Sequence, residues 1–165
     1  MQKPSLLGSI LTLASFATIV PAQNPVTQGA AALDKDFASE AATSARLASE
    51  SEAWQRFLGE AGGEWTSRWC AATATPRMAF GSGVPLAGWR QNSIEEARRH
   101  ALQFLNGHDE LLGLGTSEFR EAIGSRMGRT WCFVYDQYFR GLPVIDGRAD
   151  VRVHMVGRIA AFGSR

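Results

Sequence analysis

The stretch Trp131–Val156 reads WCFVYDQYFRGLPVIDGRADVRVHMV. Its first part alternates. Trp131, Phe133, Tyr135 and Gln137 fall on one face of an extended chain, and Cys132, Val134, Asp136 and Tyr138 on the other. Its last part alternates again, with Ala149, Val151, Val153 and Met155 against Arg148, Asp150, Arg152 and His154. One dry face and one wet face mark an antiparallel sheet covered on one side. Between the two runs, QYFRGLPVIDG (Gln137–Gly147) holds Gly141, Pro143 and Gly147. Gly141 can take a positive φ, and Pro143 pushes Leu142 into an extended conformation. Lacking an N–H, Pro143 suits a chain crossing between strands rather than a central ladder position. Gln137 can satisfy backbone groups that the turn leaves unpaired. Nothing in the turn has the nucleophilicity that catalysis requires, so it is read as shaping the fold.

Working outward, Val156-Gly157-Arg158 gives a tight reversal, and Ile159–Phe162 begins another strand. Upstream, Ser93-Ile94-Glu95-Glu96 has the spacing of a capping box, with Ser93 bonding forward and Glu96 reaching back. The helix it opens carries an apolar stripe of Ile94, Ala97, Ala101, Leu102 and Leu105, with His100 at its polar edge. It ends near Asn106-Gly107, and Leu111, Leu112 and Leu114 form a compact cap over the core. Trp65–Ala72 alternates as a strand, and a short second strand fits near Arg77–Phe80 before Gly81, Gly83 and Pro85 end it. Trp54, Phe57 and Leu58 share one face of a short helix stopped at Gly62 and Gly63. These elements predict an α+β domain, an antiparallel sheet of four to five strands packed on one long helix. The domain is expected over residues 51–165, and residues 23–50, rich in Ala and Ser, read as a helical or disordered leader.

The chain has 165 residues, with 17 Lys and Arg against 16 Asp and Glu. That balance has no basic excess to attract a phosphate backbone, so nucleic acid is not an expected partner. Lys3, the apolar run Leu6–Val20 and the Val-x-Ala ending at Ala22 describe a secretory signal peptide over residues 1–22, with an uncleaved anchor as the alternative. Cleavage predicts a secreted, extracellular chain with no membrane partner. Cys70 and Cys132 are the two cysteines. Strand parity turns both away from the aromatic face, so neighbouring strands would let an oxidising compartment join them; two unpaired thiols are the other possibility.

No catalytic or metal-binding pattern is found. His100, His108 and His154 are scattered, H-E-x-x-H is absent, and His108-Asp109-Glu110 reads as solvated residues at a helix exit. Gly81-Ser82-Gly83 lacks the rest of a phosphate loop, and Gly113–Ser117 is not a nucleophile elbow. Trp65, Trp69 and Trp131 read as half-buried strand residues rather than a sugar platform. The chain is therefore not expected to be an enzyme and requires no cofactor.

QYFRGLPVIDG also resembles an element of the fungalysin/thermolysin propeptide domain, found near the start of secreted zinc metallopeptidase precursors. The matching positions are Gln137, Tyr138, Gly141, Leu142, Pro143, Val144 and Gly147. The helix ending in FLNGHDELLGL and the alternating strand after the turn agree with it, and the similarity spans roughly residues 57–162. It implies a propeptide-like or cystatin-like fold and a non-catalytic domain that assists folding of a protease and holds it inactive. The partner implied is a zinc metallopeptidase catalytic domain, in cis if this chain is a fragment and in trans otherwise. A secreted interaction module without a protease target is the alternative. The pair Cys70 and Cys132 is not something the family pattern requires.

Overall fold

A computed structural model describes residues 25–165, with side-chain surroundings from residue 36 onward. The expected signal segment lies outside the described residues. Helices α1 (Pro25–Glu50) and α2 (Glu52–Ala61) lead into strands β1 (Trp65–Cys70) and β2 (Thr75–Pro85). Helices α3 (Ile94–Gly107) and α4 (Asp109–Leu112) follow, then β3 (Glu118–Met127), β4 (Thr130–Phe139), β5 (Leu142–His154) and β6 (Arg158–Ser164). The strands form one antiparallel sheet in the order β1-β2-β6-β5-β4-β3. No helix among the described residues is long and apolar enough to cross a membrane.

This corrects the expected fold of four to five strands on one long helix. Six strands are present, and no single long helix packs on them. Five inter-strand spacings of about 4.8 Å make the sheet about 24 Å wide, while a helix with its side chains covers only about 10 Å. The inner face is therefore shared. α3 lies on β3, β4 and β5, while α2 and α4 lie on β2. The longest helix, α1, runs against β1. There the Trp69 backbone N–H donates to Ser44 Oγ at 2.9 Å, and Ser44 Oγ donates to the Ser67 carbonyl at 3.3 Å. A helix hydroxyl thus occupies polar groups on the edge of β1 that a seventh strand would otherwise claim.

Two strands differ from expectation for a common reason. β3 has no clean alternation, because it is an edge strand whose residues are mostly exposed. β2 continues past Phe80 to Pro85 because it is held on both sides, Trp65 facing Gly81 and Val84 facing Ile159. Ladder bonds made by distant segments outweigh the local preference of glycine to break a strand. Ser93 caps α3 as expected, its Oγ accepting the Glu96 N–H at 3.2 Å. Glu96 reaches back one turn further than a capping box requires and accepts the Arg90 N–H at 3.2 Å.

The inner faces meet at Phe162 on β6. Its fully buried ring lies 4.8 Å from Phe104 of α3, 5.0 Å from Phe57 of α2 and 5.8 Å from Trp65 of β1 between centroids. Ala97, Ala101 and Leu105 of α3 bury against the layer that includes Phe133, Val151 and Val153. The alanines let the helix approach the sheet closely. His100, expected at the polar edge, is instead buried beside Trp89, its ring 5.8 Å away.

The expected disulfide is also corrected. Cys70 and Cys132 are both free. β1 and β4 are separated by β2, β6 and β5, so their strands lie about 19 Å apart at about 4.8 Å per spacing, far beyond the reach of a disulfide. Parity turned both residues away from the core side but could not reveal how many strands stood between them. The two thiols differ in chemistry. A hydrogen bond from the Thr73 side chain holds the Cys70 thiol below its ordinary pKa, while burial pushes that of Cys132 up.

Two outcomes follow. Phe162→Ala removes a ring shared by two helices and two strands and is expected to cost about 3–5 kcal/mol in urea unfolding. In the native protein both thiols titrate, and Cys70 is expected to react with iodoacetamide more than about threefold faster than Cys132, read by peptide mass mapping over time.

Candidate functional site: an apolar hairpin tip

The motif Gln137–Gly147 lies where β4 turns into β5. Phe139 faces Leu142 across the ladder, so the loop is only Arg140 and Gly141. Both take positive φ, 51° and 79°, as the tight turn favoured by strand twist requires. Gly141 has the conformation expected of it. Arg140 adopts the same region with a side chain attached, and its guanidinium lies 5.1 Å from the Phe139 ring centre.

A second irregularity follows. Tyr138 faces Pro143, but the next paired position is Asp136 with Arg148. Four residues, Val144 to Gly147, therefore stand opposite Gln137 alone. Asp146 takes a φ of 57°, which lets this bulge close. At its base, a side chain on Gly147 would come within 2.7 Å of the Val144 side chain and 2.8 Å of Gln137 Oε1. Only glycine fits without displacing one of them. Gln137 Nε2 donates to Ser117 Oγ at 2.8 Å, so its amide ties β4 to the loop before β3 rather than to the turn's own backbone. Arg148 braces the base from outside, donating to Asp136 Oδ1 at 3.0 Å.

The structure thus gathers Gln137, Val144 and Gly147 at the bulge, and Leu142 and Gly141 at the turn. Tyr138 and Pro143 bridge the two, with the Arg120 guanidinium 4.1 Å from the Tyr138 ring centre. Backbone bonding on the β6 side ends at Arg148, which exchanges both bonds with Arg165 at 2.9 Å, so the arm extends past the end of β6, flanked by β3 on its β4 side as far as Tyr138. The bulge turns apolar side chains outward along this arm. Leu142 is 70% exposed and Ile145 93%. Ile145 and Phe139 were not singled out in the sequence. The available signal was an unbroken apolar Leu-Pro-Val-Ile run inside a turn, where polar residues are the rule.

The arm has the chemistry of a docking knob. A branched aliphatic pair at the end of a braced hairpin offers contact area at small cost in ordering. Among the described residues no group of three His, Cys, Asp or Glu converges on one point. His108, expected to be solvated, is half-buried and stacked 4.1 Å from Phe104, its Nδ1 2.8 Å from the Phe104 carbonyl. The tryptophans pack as strand residues. Trp69 is buried against Trp54, Trp65 lies on Phe57, and Trp131 Nε1 donates to Asn92 Oδ1 at 2.7 Å.

No protein-family model, no curated protein and no solved structure matches this chain.

Gly147→Ala tests the bulge. It forces Val144 or Gln137 aside and is expected to cost about 1–3 kcal/mol in thermal or urea unfolding, whereas Gly107→Ala, at a position with no positive φ and nothing within 4 Å, serves as the uncrowded comparison.

Proposed function

We propose that this chain is a non-catalytic, exported, propeptide-like domain that binds a zinc metallopeptidase, assists its folding and holds it inactive. The observation that carries this reading is the β4–β5 arm, whose exposed Leu142 and Ile145 are held on a braced hairpin. The motif resemblance at Gln137, Gly141, Leu142, Pro143, Val144 and Gly147 supports it. So does the physical role of those residues, since Gly141, Gly147 and Gln137 build the arm that displays the apolar pair. An inhibitor that is not consumed needs a stiff contact element, and a two-residue turn backed by a three-strand base supplies one. The protease would meet the apolar tip first, and burial of two branched side chains is worth about 3–6 kcal/mol of gross contact before ordering costs.

The test uses a thermolysin-like protease encoded by the same genome. The purified domain at tens of micromolar is expected to slow peptide hydrolysis, or to raise the yield when the protease is refolded with it. Leu142→Asp combined with Ile145→Asp is expected to weaken the effect at least about tenfold while leaving circular dichroism unchanged, since both residues are exposed. A folded domain that neither inhibits nor assists any such protease would shift the reading to a secreted interaction module.

A further inference from the structure

The face of the sheet opposite α2, α3 and α4 carries a second feature. One cross-strand row can be followed through all six strands as Thr66, Phe80, Ala161, Arg152, Cys132 and Ser125. Beside it, Gly163 faces Asp150, Asp150 faces Val134, and Val134 faces Ile123. Ala161 and Gly163 of the central strand β6 are small and buried, so neither raises a large side chain from the middle of this face, while Ser164 and Arg165 beyond them line it. Larger side chains rise on either side, and the groove between them has a volume of about 860 Å³.

Its walls are apolar. Met78 and Phe80 stand on β2, Ile123 and Met127 on β3, and Val134 on β4; Met127 is 67% exposed. Its charge is one-sided. Arg68, Arg77, Arg148, Arg152 and Arg165 line it against only Glu40 and Asp150. Arg68 and Arg77 pair with no carboxylate among the described residues. Arg148 is drawn to Asp136 at 3.0 Å, and Arg152 lies 3.7 Å from Asp150. Asp150 Oδ1 is buried without a hydrogen-bond partner, and burial holds this carboxyl above its ordinary pKa.

We propose that this groove docks an acidic amphipathic helix of a partner polypeptide, its apolar face on Met78, Phe80, Ile123 and Met127 and its carboxylates on Arg68, Arg77 and Arg152. The charge imbalance selects an acidic partner. The floor selects a helix, because the sheet's own backbone is consumed in its ladders and the occupant must bring its hydrogen bonds already satisfied. Methionines on both walls let the surface adapt to the apolar face laid on it. No acidic residue precedes Asp34, so the chain's own first residues lack the charge that the groove selects. The inference rests on the groove alone and does not depend on the protease reading.

The test follows the methyl resonances of Met78, Met127 and Met155 in the full chain carrying methyl-labelled methionine. The probe is a synthetic amphipathic helix of about five turns, Leu on one face and Glu on the other, and its twin with Lys in place of Glu. The acidic peptide is expected to shift the Met78 and Met127 methyls and leave Met155 unmoved, and the Lys twin to shift none. Arg68→Glu with Arg77→Glu, both exposed, is expected to weaken binding at least about tenfold, and Asp150→Asn to tighten it. Equal binding of the Lys twin would overturn the proposal, as would acidic binding that leaves Met78 and Met127 unmoved. Oleate moving those methyls where the acidic peptide does not would assign the groove to a small amphiphile and overturn it too.

Discussion

The burial of Phe162 on the central strand is the contact on which the rest of the structure depends. β6 is the last strand in the chain, yet it lies between β2 and β5 and joins two otherwise separate units, the β1–β2 hairpin and the β3–β4–β5 meander. Its inward ring meets Phe57, Trp65 and Phe104, so α2, α3 and both units share one apolar contact. Aromatic rings in tilted and edge-on arrangements add to the area they bury. Chain closure over this distance is entropically costly. The Phe162 cluster is where that cost is offset.

Closing the sheet this way divides the molecule's surfaces. The inner face is spent on the core. Of the two edges, β1 is occupied by Ser44 of α1, while β3 remains an exposed edge with charged side chains at Glu118, Arg120, Glu121 and Arg126, which discourage strand addition by unrelated chains. The outer face stays bare, and the β4–β5 arm extends past the point where β6 pairing ends. The surfaces left for recognition are therefore a sheet face and a hairpin tip, both formed by regular backbone rather than by loose loops. The two differ in character. The arm offers branched apolar residues, and the face combines apolar walls with Arg68 and Arg77, which pair with no carboxylate among the described residues.

Conformational detail at the motif explains why its residues occur together. Gly141 serves the turn. Gly147 serves the bulge, where Val144 and Gln137 leave no room for a side chain. Gln137 anchors the whole arm to Ser117. Loss of any of these would affect how Leu142 and Ile145 are presented without touching either one, a coupling through shape rather than through contact with a partner.

Wherever neighbours in sequence supply the physics, the elements could be read directly. Ser93 opens α3, the alternation of β4 and β5 assigns Phe133, Tyr135, Val151 and Val153 to the core, and Gly141 takes the positive φ that the turn demands. The motif residues of the hairpin were legible for the same reason, whereas the outward aim of Ile145 needed the bulge to be counted against Gln137. What tertiary structure alone decided was everything set by the order of strands. An edge strand such as β3 buries too little to imprint alternation. β2 outlasts its glycines because two partners hold it. His100 is buried because Trp89 packs against this face of α3, and Cys70 and Cys132 stay apart because three strands stand between them. The groove belongs to the same class, since its walls and floor come from segments far apart in the chain. Local periodicity determines which way a side chain points; only the long-range pairing of strands determines what it points toward.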